Sequence, residues 1–174
     1  MEGADQIALR GMRPYARPMQ AAKAQKEIKR HLLEAAKAGG LADAEPLRDF
    51  IVRSSRRIAH ERVAAGSPVL HVWNVKAEGT LRTFLLHERG MDILRLSGDE
   101  DSPQIQTRFV GPQWGLDYRE QVTLEDAHGG ALKVEAVVTS PLFDDPIQLE
   151  YLDGNEDFDK PRRVLIEWAR TKPV

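Results

Sequence analysis

The chain contains no cysteine. That absence removes disulfide frameworks, thiol nucleophiles, Cys-ligated zinc and iron–sulfur clusters together. No apolar run approaches the roughly 20 residues a membrane-spanning helix needs. The opening segment, residues 1–18, lacks the apolar core of a secretory signal, so a soluble, cytoplasmic protein is expected, with no membrane partner. Enzyme signatures are also missing. The five histidines, at 31, 60, 71, 87 and 128, form no His-x-x-x-His or His-Glu-x-x-His pair. There is no Gly-x-Ser-x-Gly elbow, phosphate-binding loop or dinucleotide fingerprint. No cofactor is therefore expected, and the chain leans away from catalysis.

What remains is a globular composition over 174 residues, 41% hydrophobic and 30% charged. A chain of this length can bury about two thirds of its unfolded surface without a metal or disulfide staple. The net charge of −2 hides an asymmetry. Residues 1–65 carry 13 basic and 8 acidic side chains, a balance of +5, whereas residues 66–174 carry 12 and 19, a balance of −7. The two parts could dock on each other or face partners of opposite sign.

Residues 1–18 read as a basic arm, broken by Gly11, Pro14 and Pro18 and charged by Arg10, Arg13 and Arg17. It is either a frayed terminus or a segment that orders on a partner. Residues 19–66 read as a helical hairpin. Ala21, Ala24, Ile28, Leu32 and Ala35 make one stripe at 100° per residue, ended by Gly39 and Gly40. A second helix over 44–64 has Asp43 as its expected N-cap, Pro46 in its first turn and Leu47, Phe50, Ile51 and Ile58 as its apolar face.

From residue 69 the period changes to two. Eight strands are expected at 69–76, 80–88, 91–97, 104–110, 117–125, 131–140, 147–152 and 163–170. The links between them are too short for parallel crossovers, so residues 67–174 should form an antiparallel meander. The expected fold is α+β: two N-terminal helices packed on one curved sheet of seven to eight strands, able to close into a half-barrel. A strict single meander would also gather Glu78, residues 99–101, Asp126 and residues 153–159 at one end of the sheet.

Three features carry functional expectations. Arg53, Arg56, Arg57 and His60 occupy a helical arc separate from the apolar one. Arginines there can grip carboxylates or phosphates bidentately, although a solvated helix face has the same pattern. The loop Phe109-Val-Gly-Pro-Gln-Trp-Gly115 presents Trp114 either as an interface anchor or as a cover over the core. The run Asp153-Gly-Asn-Glu-Asp-Phe-Asp159 starts like a calcium loop. Phe158 and Val164 replace the glycine and glutamate such a loop needs, so an acidic hairpin loop is the better reading.

The leading functional reading is a non-catalytic binding or adaptor protein. It would meet a macromolecule, most simply a protein, through Arg53, Arg56, Arg57, His60 or Trp114. One alternative is a small enzyme or ligand-binding protein whose cavity is lined by inward groups such as His71, His87 or Glu120. Another is a nucleic-acid binder acting through residues 1–65, a reading weakened by the lack of aromatics between the arginines.

Overall fold

The computed structural model describes residues 16–112, 114–125 and 130–171. Two antiparallel helices come first, α1 (Ala16–Ala38) and α2 (Glu45–Ala64). Seven strands follow: β1 (His71–Ala77), β2 (Thr80–His87), β3 (Gly90–Ser97), β4 (Gln104–Val110), β5 (Asp117–Glu125), β6 (Ala131–Thr139) and β7 (Ile147–Leu152). A third helix, α3 (Glu156–Arg170), comes last. The first fifteen residues of the basic arm lie outside the described residues, and residues 16–18 belong to α1.

The strands form two antiparallel sheets, β1-β2-β3-β4 and β5-β6-β7. This corrects the expectation of one curved sheet. Neighbouring strands do meander inside each sheet, but β4 and β5 do not pair. The Gly-Pro-rich segment 111–116 carries the chain from one sheet to the other. Glu78 and residues 99–101 still share one end of the first sheet, but the break after β4 removes the argument that would bring Asp126 and residues 153–159 to them. Glu78 pairs with Arg82 at 2.7 Å, and Glu100 accepts a hydrogen bond from the Ala42 amide. Asp126 lies outside the described residues.

The final element is a second correction. Residues 163–170 alternate Val164, Ile166 and Trp168 with Leu165, Glu167 and Ala169, which suggests a strand. They belong to α3, whose buried residues are Phe158, Pro161, Leu165 and Trp168. That i, i+3, i+7, i+10 spacing is a helical stripe. The start signal is the acidic run itself. Asn155 caps the helix by accepting from the Asp157 amide, and Glu156, Asp157 and Asp159 sit in the first turn, where the helix dipole favours negative charge. The calcium-like spacing is thus the N-terminus of a helix, and the helices are not all N-terminal. A smaller correction concerns α2, where the N-cap position is Ala44 without a side-chain bond, and Asp43 pairs with Arg48 instead.

The four-stranded sheet is covered on both sides. On one face Val72, Leu85 and Leu94 meet Ala24, Ile28 and Leu32 of α1 and Leu47, Ile51 and Ile58 of α2. On the other, Trp73, Phe84, Leu86, Met91 and Ile93 meet Ala136, Val138 and Leu149 of the second sheet and Phe158, Leu165 and Trp168 of α3. The hairpins match these layers. Glu78 and Gly79 form a two-residue link with φ of 50° and 76°, as a type I′ turn requires, and both amides donate to the Asp144 carboxylate. Gly90 has no room for a side chain, because a Cβ would come within 2.3 Å of the Val110 carbonyl oxygen.

Candidate functional site

The outward face of α2 carries Arg53, Arg56, Arg57 and His60, all exposed. The i, i+3, i+4, i+7 spacing stacks them along one stripe, and the opposite stripe, Leu47, Ile51, Ser55, Ile58 and Ala59, is buried. Together the four border a shallow hollow of about 380 Å³. Arg53 pairs with Asp49 at 3.0 Å and Arg57 with Glu61 at 3.2 Å. Both partners lie on α2 itself, so among the described residues these arginines do not reach the acidic loops of the strand region.

Trp114 is elsewhere and is only 6% exposed. Its ring meets Phe143 at 6.1 Å and Trp168 at 5.9 Å, edge to face. It covers the core between the two sheets, so its indole is not available as an interface anchor.

The inward groups that an enzyme would need are all present, and each is engaged. His71 lies 4.5 Å from Trp73 and 5.7 Å from Phe158, centroid to centroid. Burial lowers its pKa to about 4, with His31 and Lys23 adding repulsion against the opposing pull of Glu27. The ring is neutral at neutral pH.

His87 belongs to a sealed polar network under the end of α2. Its Nδ1 lies 2.9 Å from Ser67 Oγ, its Nε2 lies 3.7 Å from Asp92 Oδ1, and Arg62 Nε forms an ion pair with Asp92 Oδ2 at 2.7 Å. Ser67, His87 and Asp92 have the residue types of a hydrolytic relay. They are 1%, 0% and 2% exposed, however, and Phe109 stacks on the His87 ring. No substrate atom can meet them in this arrangement, and the network is structural.

Glu120 faces α3 from β5. It accepts hydrogen bonds from Tyr118 at 2.6 Å, from Tyr151 at 3.1 Å and from Arg162 at 2.5 and 2.9 Å. The Arg162 bonds lead in holding its pKa near 2, against the effect of burial, and the tyrosine hydroxyls assist. A carboxylate this acidic, already accepting four hydrogen bonds, is a poor proton acceptor. It clamps α3 onto the second sheet.

The clamp forms one wall of a cleft of about 470 Å³ between the second sheet and the N-terminus of α3. Val122, Leu132 and Val134 are its floor, and Asp153, Glu156 and Asp159 stand on its rim. Sequence reasoning singled out Glu120 but missed Arg162 and Tyr151, because reading residues 163–170 as a strand obscured the helix that brings Arg162 to the sheet. It missed Arg62, Ser67 and Asp92 as well. Asp92 sits between Met91 and Ile93 on a strand buried on both faces, and a carboxylate in that setting signals a buried partner.

Stability should therefore depend on pH in two windows. The lowered pKa of His71 leaves the native state with fewer protons than the unfolded one between about pH 6.5 and 4, so stability falls on acidification through that range. The lowered pKa of Glu120 adds a further loss between about pH 4.5 and 2. In thermal melts from pH 8 to 3, His71→Phe should flatten the upper window and Glu120→Gln the lower one.

No protein-family model, curated protein or solved structure matches this chain. No helix among the described residues is long and apolar enough to cross a membrane.

Proposed function

We propose that the chain is a non-catalytic binding or adaptor protein that meets an acidic protein surface through Arg53, Arg56, Arg57 and His60. The observation that carries this reading is the layout of α2. A helix anchored by Leu47, Ile51 and Ile58 presents four cationic or hydrogen-bonding side chains in a row, around a hollow that no other element fills among the described residues. Arginine favours bidentate contact with carboxylates, and an anchored helix fixes the spacing of such contacts. An acidic protein fits better than nucleic acid because no aromatic side chain that could stack on a base lies between these arginines.

The test reverses the charge with Arg53→Glu, Arg56→Glu and Arg57→Glu together. Only exposed pairs within α2 are lost, each worth about 0.3–0.5 kcal/mol, so the fold should survive with a small drop in melting temperature. Proteins retained by the immobilised wild-type and triple-variant chains are then compared by quantitative mass spectrometry. The expected result is an acidic protein held by the wild type, lost from the variant and released by salt. Identical retained sets would overturn the reading. Loss confined to a DNA duplex would replace it with the nucleic-acid alternative.

A further inference from the structure

Strand β1 is an outer strand of the first sheet, and one long side of its backbone is left unfinished. Along a strand, alternate residues turn their N–H and C=O groups to opposite edges. Ala77 and Thr80 flank the two-residue turn and pair with each other, so Ala77, Val75 and Trp73 bond towards β2, whereas Lys76, Asn74 and Val72 face outwards. The Lys76 carbonyl accepts a hydrogen bond from the Asp144 amide at 2.8 Å. That bond is the first rung of a second ladder, and the described residues do not continue it. The outward amides of Asn74 and Lys76 and the Asn74 carbonyl have no backbone partner among them.

The unfinished rungs open on a slot of about 560 Å³. Its far bank is the start of β7, an outer strand of the second sheet. There the Asp153 amide donates to the Leu132 carbonyl, so Ile147, Leu149 and Tyr151 bond towards β6 and the backbone of Gln148 faces away from it. The slot thus runs between two sheet edges that do not pair with each other.

The walls of the slot differ in chemistry. Trp73, Val75 and Ile147 line it from the core side, and His31 and Glu34 line it from α1. Two carboxylates, Glu34 and Asp145, border it against one ammonium, Lys76. Asp145 has no ion pair among the described residues, and Glu34 holds Arg30 only at 3.4 Å. A strand lying here would point alternate side chains at an apolar wall and at an acidic one.

We infer that the slot takes an extended segment of a partner protein, alternating apolar and basic residues, as an added strand on β1. Its backbone bonds Asn74 and Lys76, its apolar side chains meet Trp73 and Ile147, and its basic side chains meet Glu34 and Asp145. Main-chain bonds supply the affinity of such an added strand, and the alternation supplies its selectivity. The site is separate from the arginine stripe of α2 and stands whether or not that stripe binds an acidic protein.

The probe is the end-blocked peptide Lys-Val-Lys-Val-Lys, added up to millimolar concentration to the full chain while amide hydrogen exchange is followed by NMR. In the free chain the Asn74 and Lys76 amides should exchange fast, as solvated edge groups do, and saturating peptide should slow both by about tenfold or more. High salt and Asp145→Lys should each weaken the effect. The same peptide with methylated backbone nitrogens should leave both rates unchanged. Lys76→Pro removes one outward donor at a place where an edge strand tolerates proline, and it should abolish binding with the melting curve retained, although it also removes the opposing charge. Slow exchange at Asn74 and Lys76 before any peptide is added would show the edge already closed and would overturn the inference. So would unchanged rates at millimolar peptide, equal slowing by the methylated peptide, or slowing confined to the edges of β4 and β5. Should Lys76→Pro fail to fold, the methylated peptide still decides.

Discussion

Replacing Arg62 by alanine is expected to cost about 3–5 kcal/mol of folding stability, an effect large for a residue with part of its side chain in water. The cost comes from what is left behind. Asp92 is 2% exposed, and its Oδ1 has no hydrogen-bond partner among the described residues. Without the 2.7 Å ion pair to Arg62 Nε, the carboxylate is buried beside only the His87 ring at 3.7 Å. Removing one member of a buried ion pair costs more than the pair contributes, because the remaining charge has lost water and partner alike. The double variant Arg62→Met with Asp92→Leu removes both charges at similar volume, and it should be far closer to wild type than Arg62→Ala. Urea melts of the three proteins check this. A double variant as unstable as the single one would show that the cost lies in packing rather than in the stranded charge.

Val134→Asp should be comparably severe, at about 3–5 kcal/mol. Val134 sits in the middle strand of the second sheet, opposite Val122 and Tyr151, and is 6% exposed. An aspartate there would be ionised where the one cation of the cleft, Arg162, is already held by Glu120, or it would have to protonate. The neighbouring position is the control. Lys133 points to the other face, where it bridges Glu135 at 3.0 Å and Glu150 at 3.1 Å in the open. Lys133→Ala should cost far less, since solvated pairs contribute little. Equal losses in denaturant melts would contradict the alternation of β6.

Most local structure was legible in the chain because most of it has a single period. Ala21, Ala24, Ile28, Leu32 and Ala35 repeat at helical spacing and all five are buried. Leu132 to Val138 alternate, and Val134, Ala136 and Val138 turn inward. Residues 163–170 satisfy both periods at once. Their alternation hid the helix, which begins at Glu156 within the run read as an acidic loop. The break between β4 and β5 was not legible for another reason. Short turns establish which strands are antiparallel, but whether the ladder continues across 111–116 depends on how two faces pack, which involves residues far apart in sequence. The candidate site divides in the same way. The α2 stripe is local and was read directly, whereas the Glu120–Arg162 clamp joins residues 42 apart.

The placement of α3 has a consequence for the order in which the molecule is built on the ribosome. The helical layer and its seat, residues 24–105, are synthesised first and can be assembled as a unit. The opposite face of the same sheet, with Trp73, Phe84 and Met91, then waits in contact with water or with a chaperone. Phe158, Leu165 and Trp168 close that face, and they follow the end of β4 by more than forty residues. Between the synthesis of the four-stranded sheet and that of α3 the nascent chain therefore has one finished side and one greasy side, and α3 is the piece that ends its stickiness.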